Sequence, residues 1–202
     1  MINENFVLVG ALFNLTGSSA YAYHTLKGKT KPNRVSWFLW TIIPMIALFA
    51  QIGEGVSLYI VLMTFMVGFG PMLVLIASFI NEKSYWKISK LDYICGALSV
   101  LAVILWLITG KGIVAIAFSI LADLIASVPT LIKSYKDPDS EYHGSYRNGA
   151  ISAVITMLTI KNWTFAAYGF SLYMFLTCGV LYGLIKFRLG LVISKQFVVA
   201  SK

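Results

Sequence analysis

The segment from Ile120 to Tyr146, ILADLIASVPTLIKSYKDPDSEYHGSY, contains the features on which the fold prediction depends. It begins as an apolar run typical of a membrane span, yet it carries Asp123 inside that run. Because a charged side chain at membrane depth is expensive, it usually faces a cavity or a protein partner instead of lipid. Pro129 lacks a backbone donor and tends to kink a helix. The segment therefore predicts a bent helix that carries a buried carboxylate.

A second stretch with the same outline, LFNLTGSSAYAYHTLKGKTKPNRVSW, precedes it at residues 12–37. Asn14 takes the place of Asp123, and the exit from the apolar run is again basic and contains a proline. We call the ungapped alignment of the first three apolar runs with the last three, at an offset of 109 residues, the repeat alignment, and it pairs Asn14 with Asp123 and Trp37 with Tyr146. Its other matched pairs are Ser18 and Ser127, Lys27 and Lys136, Ser36 and Ser145, Tyr59 and Tyr168, and Gly70 and Gly179. The shared order of features predicts two copies of one unit.

The composition is that of an integral membrane protein. Of 202 residues, 58% are hydrophobic and only 12% are charged, about half the charged share of soluble domains. The formal net charge is +8, but the basic residues lie between apolar runs and form no soluble patch for nucleic acid. We expect them to set the membrane topology and to meet anionic headgroups.

The apolar runs predict seven transmembrane helices, because about 20 residues span the hydrocarbon layer. The runs do not alternate as the strands of a membrane barrel do. They are Phe6–Tyr23, Val35–Gln51, Ser57–Ile80, Leu91–Thr109, Gly112–Ile132, Ser145–Ile160 and Phe165–Lys186. The sixth run is short, and a re-entrant segment is the alternative there.

The basic residues predict the orientation. With the N-terminus outside, the inside loops and the C-terminal tail hold 14 of the 16 Lys and Arg, leaving Lys111 and Lys161 outside. Because Lys and Arg accumulate in cytoplasmic loops, we expect the C-terminus to be cytoplasmic, in an inner or plasma membrane. The tail at 189–202 mixes apolar residues with lysine, so it either lies along the inner leaflet or is frayed.

The three helices before the fourth run and the three after it give a 3+1+3 order. This order resembles the SWEET sugar transporters and the wider PQ-loop (MtN3-like) group, and SVPTLIKSYKDPDSE at 127–141 is similar to the first-helix exit of those proteins. The resemblance implies an all-α fold with two parallel three-helix repeats. The repeats would be residues 1–81 and 112–188, with 82–111 as a linker helix.

The candidate binding residues are those that such repeats would bring together. Equivalent residues of parallel repeats face each other across a central path, which places Asn14 opposite Asp123. A carboxylate there suits proton coupling or the binding of a cationic or hydroxyl-bearing solute. The alternative is a structural Asp123 satisfied by Asn14, Ser119 or Ser127. Trp40 is a candidate stacking surface, with a membrane-interface anchor as the alternative.

Thr156 and three prolines complete the candidate set. Thr156 makes part of the sixth helix polar, although threonines commonly bond back to their own helix. Pro44, Pro71 and Pro129 are candidate hinges for gating, or kinks that packing requires.

The sequence predicts a small-solute transporter working by alternating access, for a sugar or another small polar solute. Proton coupling through Asp123 is one option. A non-transporting binding or signalling protein on the same fold is the alternative, and a homo-oligomer is left open. No enzyme motif, metal cluster or cofactor motif is present in the sequence. A retinal protein needs a lysine in mid-membrane of the last helix, and the last run has none before Lys186.

Overall fold

The structure, a computed structural model, describes residues 2–84, 86–109 and 111–193. Within them it is all-helical, without strands, and each predicted apolar run lies almost entirely in one helix, so the all-α prediction is confirmed. The α-helices are α1 (Phe6–Leu26), α2 (Arg34–Gly53), α3 (Leu58–Ile80), α4 (Lys90–Thr109), α5 (Gly112–Lys136), α6 (His143–Thr159) and α7 (Phe165–Lys186). A 3-10 turn, Pro138–Ser140, lies between α5 and α6. The predicted tail is described only as far as residue 193, and residues 194–202 lie outside the described part.

Five of these helices are long and apolar enough to cross a membrane. They are α1, α2, α3, α5 and α7, with mean hydropathies from 1.2 to 2.4. Their outer faces expose large apolar side chains such as Phe49, Leu58 and Ile80, which lipid can cover. The chain is therefore an integral membrane protein that crosses the bilayer several times. At 17 residues, α6 is shorter than a typical span, and the count of seven spans stays a prediction.

Six helices pack side by side around a common centre. In order around the ring, α1 contacts α3, α3 contacts α2, α2 contacts α5, α5 contacts α7, α7 contacts α6, and α6 contacts α1. The remaining helix, α4, packs on α5 and less extensively on α2, so it lies outside the ring.

The loops at one end of the ring are bonded to each other. This end, which we call the basic end, is where α1, α3, α5 and α7 finish and α2, α4 and α6 begin. The backbone N–H of Lys31 donates to Ser140 O at 2.9 Å, joining the α1–α2 loop to the α5–α6 loop. Asn33 caps α2 by accepting hydrogen bonds from two backbone N–H groups at 3.1 and 3.2 Å. Its amide also donates to Asp92, which fixes the start of α4 against α2.

Two glycines on α3 let its neighbours come close. A Cβ at Gly70 would collide with Ser18 Oγ of α1 and lie 3.0 Å from Asn14 Oδ1. A Cβ at Gly68 would lie 3.0 Å from Thr41 O of α2. Helices with small residues at their interfaces can approach closely, and here that approach brings Asn14 to the inside of the ring.

Candidate functional site

A cavity of about 60 Å³ lies inside the ring, and each of the six ring helices contributes to its wall. Since one water molecule needs roughly 10–15 Å³ of such space, the cavity has room for a few waters. Its lining residues are Asn14 and Ser18 from α1; Trp37 and Trp40 from α2; Val67 and Pro71 from α3; Asp123 from α5; Ser145, Tyr146 and Gly149 from α6; and Tyr173, Met174, Thr177, Cys178 and Leu181 from α7.

Asp123 brings a half-satisfied carboxylate to this cavity. The side chain is 3% exposed, and its Oδ2 accepts a hydrogen bond from the Tyr173 hydroxyl at 2.6 Å. Its Oδ1 accepts none from the described residues. The partner is therefore Tyr173, and not Asn14, Ser119 or Ser127 as the structural alternative supposed. A buried oxygen without a donor is costly, so Oδ1 is available to a donor that enters the cavity.

Asn14 faces the same cavity from α1, which is not next to α5 in the ring. Its side chain is 8% exposed, and no hydrogen bond to its Oδ1 is made by the described residues. The structure thus brings together Asn14 and Asp123 across one small space, each with an oxygen that lacks a donor.

Aromatic rings form much of the remaining wall. Trp37 and Trp40 are both buried, with ring centroids 5.2 Å apart and planes at 79°. Tyr146 and Tyr173 add two phenol rings from α6 and α7. Since Trp40 lies in the wall of an internal cavity, it does not face the lipid interface as an anchoring tryptophan would.

The other predicted residues lie in different places. Pro71 lines the cavity, whereas Pro44 and Pro129 are buried in α2 and α5 and do not. The helices continue through all three prolines. Thr156 is buried away from the cavity, and its hydroxyl donates to Ser152 O at 2.9 Å within α6. The geometry therefore gives Thr156 no contact with this site.

A second polar cluster, which the sequence did not predict, adjoins the cavity at the basic end. We call it the Glu141 cluster, and it consists of Tyr21, Lys133, Glu141 and Tyr146. Glu141 Oε2 accepts hydrogen bonds from the hydroxyls of Tyr21 at 2.6 Å and Tyr146 at 2.8 Å, and Oε1 pairs with Lys133. Lys133 also donates to Lys31 O at 2.6 Å. All four side chains are buried, and Tyr146 belongs to both the cluster and the cavity wall.

The sequence offered only a weak signal for this cluster. Lys133 reads as the basic exit of a span, and Glu141 reads as part of a polar turn. The ion pair forms because the turn Pro138–Ser140 folds the chain back over the end of α5. Opposite charges close together in the chain, with a proline between them, were the available hint.

Comparisons of the chain with protein-family models, with curated proteins and with solved structures find no match. Within the described residues, no group of three or more His, Cys, Asp or Glu side chains is placed to hold a metal ion. The interpretation of the cavity therefore depends on its own geometry.

Proposed function

We propose that this protein is a membrane transporter for a small polar solute and that it works by alternating access. The observation that carries the proposal is Asp123, a carboxylate with one free oxygen in a cavity walled by all six ring helices. Ionisable residues in membrane segments typically mark a substrate or ion path. A transporter also needs its site at the meeting point of two units that can move relative to each other.

The two units in this proposal are α1–α3 and α5–α7, with α4 as the linker. In each unit the third helix contacts both of the others, and the units meet through the pairs α1–α6 and α2–α5. This pattern is what an axis along the membrane normal between two parallel repeats produces. It supports the resemblance to the SWEET and PQ-loop group, which stays a prediction.

The cavity wall supports the repeat in the first two helices of each unit. Three pairs of the repeat alignment line the cavity together: Asn14 and Asp123, Trp37 and Tyr146, and Trp40 and Gly149. These pairs come from α1 and α5 and from α2 and α6. Equivalent positions of the two units therefore face one space.

The third helices keep the pattern with a change of register. Their lining pairs, Val67 with Met174 and Pro71 with Cys178, share one spacing that is slightly shorter than that of the repeat alignment. The register shifts because the start of α3 lies further along the chain from the start of α2 than the start of α7 lies from that of α6. The residues of the pairs Tyr59–Tyr168 and Gly70–Gly179 therefore do not line the cavity.

The Glu141 cluster is the gate in this proposal. It joins α1, α5, α6 and the α1–α2 loop where the cavity approaches the basic end. The distribution of Lys and Arg favours a cytoplasmic position for that end, with the N-terminus outside and the C-terminus inside. The conformation described is then closed toward the cytoplasm. Opening requires the two units to separate where Tyr21 donates to Glu141 and where Lys133 donates to Lys31 O.

Exchange across a membrane tests the proposal. A thermal-shift screen of sugars, amino acids, amines and vitamins on the purified protein first identifies a ligand. The protein is then reconstituted into liposomes, and counterflow of the labelled ligand is measured. We expect saturable exchange that protein-free liposomes lack. A ligand that binds but never crosses would overturn the transport proposal in favour of the non-transporting binding or signalling protein.

A further inference from the structure

The charge of the cavity wall selects among solutes. Asp123 is the only Asp, Glu, Lys, Arg or His side chain among the described residues that line it. Lys133, the basic group of the adjoining Glu141 cluster, is buried in its ion pair with Glu141 and in its bond to Lys31 O. An anionic solute would meet an unopposed carboxylate in a poorly solvated space. A cationic solute would find a counter-charge there.

Of the three buried polar side-chain atoms at the cavity-lining residues that lack a partner among the described residues, two favour the same class of solute, and the third, Trp37 Nε1, is a donor. Asp123 Oδ1 and Asn14 Oδ1 are acceptors without donors from the described residues. A solute with N–H groups can donate to both oxygens, and a positive charge without N–H groups is attracted to the Asp123 carboxylate electrostatically. A solute whose polar atoms mostly accept hydrogen bonds leaves both without a donor, and that is costly in a buried site.

The aromatic rings supply the third element of the site. Trp37, Trp40, Tyr146 and Tyr173 line the same cavity as the carboxylate. The face of an aromatic ring, and of Trp above all, attracts an organic cation by about 2 kcal/mol or more when the site is desolvated. Aromatic rings combined with a carboxylate are suited to ammonium groups that carry alkyl substituents.

We propose that the solute is a small organic cation, an alkylammonium or quaternary ammonium compound, whose charge lies between Asp123 and Trp40. The assignment of this cation as cargo rests on the transport function proposed above. The assignment of the site as a cation site rests on the cavity itself.

Choline and its neutral isostere 3,3-dimethylbutan-1-ol provide a matched pair of probes that differ mainly in charge. Binding of each to the purified full-length protein is measured by calorimetry, with tetramethylammonium and glucose alongside. We expect choline and tetramethylammonium to bind and the neutral isostere to bind at least about thirtyfold more weakly. Equal binding of choline and its isostere, or binding of glucose and neither cation, would overturn the proposal, as would no binding of either cation.

Variants then test whether the positive charge of the solute lies between Asp123 and Trp40. Asp123→Asn should weaken choline binding by about thirtyfold or more, and Trp40→Leu by about fivefold or more. Asp139→Asn removes an exposed carboxylate and should leave the affinity unchanged. Asp123→Glu and Trp40→Phe should retain most of the binding, which guards against a variant that fails to fold. Choline binding that is unaffected by Asp123→Asn would overturn the assignment.

Counterflow separates this inference from the transport proposal. Exchange of labelled choline supports both. Exchange of glucose without any binding of choline overturns the cation assignment and leaves the transporter standing. Binding of choline without exchange overturns the transporter and leaves the cation site standing.

Discussion

Two buried carboxylates, Glu141 at the basic end and Asp123 in the cavity wall, differ in how many partners they have. Glu141 has a cation at one oxygen and two hydroxyl donors at the other. Asp123 has a single hydroxyl donor and a free oxygen. Both side chains are almost completely buried, at 6% and 3% exposure. Burial alone therefore does not distinguish the two carboxylates, whereas the number of satisfied oxygens does.

The physical reason lies in the cost of removing charge from water. A buried ion pair is tolerated only when its geometry and its additional hydrogen bonds offset desolvation. The Glu141 cluster meets that condition, and in the proposed mechanism it holds the basic end closed in the absence of a solute. Asp123 does not meet it, and a cavity adjoins its free oxygen. We infer that a group of the solute interacts with the free Oδ1 of Asp123.

The first prediction tests which side of the membrane the Glu141 cluster faces, and its expected effect is all or none. Lys31→Cys and Asp139→Cys, both at exposed positions of the basic end, should resist a membrane-impermeant maleimide applied to intact cells. Trp163→Cys, exposed at the opposite end, should react. The two native cysteines are buried, so the wild-type protein is the unlabelled control.

Reaction at Lys31→Cys or Asp139→Cys from outside would reverse the orientation. The Glu141 cluster would then be an outer gate.

The second prediction removes the centre of the satisfied cluster. Glu141→Ala leaves Lys133 buried without a counter-charge, so we expect destabilisation of about 3–5 kcal/mol and little folded protein in detergent. Asp139→Ala, at the exposed ion pair with Arg188, should change stability by less than about 1 kcal/mol. Melting temperatures in one detergent measure both.

A double replacement checks whether the unpaired charge of Lys133 causes the loss of stability. Lys133→Met combined with Glu141→Leu removes both charges together, and it should recover much of the lost stability. A Glu141→Ala protein that melts like the wild type would show that the ion pair does not hold the basic end.

The third prediction removes the charge from the incomplete carboxylate. Asp123→Asn still offers an oxygen to the Tyr173 hydroxyl, so we expect stability within about 1 kcal/mol of the wild type. Uptake into liposomes should fall by about thirtyfold or more, because one partner of the solute charge is lost. Asp139→Asn is the matched control.

The way in which uptake is lost distinguishes two roles. Weaker binding at every pH assigns Asp123 to the solute. Retained binding with loss of the dependence on a pH gradient assigns it to proton coupling. Wild-type stability and uptake in Asp123→Leu would exclude both roles.

The sequence predicts the helices well because lipid imposes a simple constraint on them. Long apolar runs must form helices in the bilayer, and the seven runs match the seven α-helices of the described residues closely at most ends. The sequence also predicts Asn14, Trp40 and Asp123 as candidate binding residues, and the three line one cavity. A polar residue inside an apolar run, and its counterpart in a repeat, are visible without a structure.

The remaining features depend on which atoms meet, and sequence patterns do not contain that information. Tyr173 is one of several tyrosines in the last apolar run, yet it is the partner of Asp123. The ungapped repeat alignment fails in the third helices because the spacing between helix starts differs in the two halves. Thr156 satisfies its hydroxyl within its own helix, an outcome that its polarity alone does not reveal. The Glu141 cluster needs a chain reversal that only the folded turn supplies.

The last prediction removes one hydroxyl from each carboxylate and has the smallest expected effect. Tyr146→Phe leaves Glu141 with Lys133 and Tyr21, so we expect a loss of only about 0.5–1.5 kcal/mol. Tyr173→Phe takes the single donor from Asp123, and a hydrogen bond to a charged group contributes about 1.5–3 kcal/mol. Because each change deletes one oxygen from a buried tyrosine, either variant is the control for the other. Unfolding in SDS gives both stabilities, and a larger loss in Tyr146→Phe would contradict the difference between the carboxylates.

Solute binding sharpens the test, since Tyr173→Phe should alter affinity directly at the cavity. If the basic end is the gate, Tyr146→Phe should mainly alter the rate of exchange.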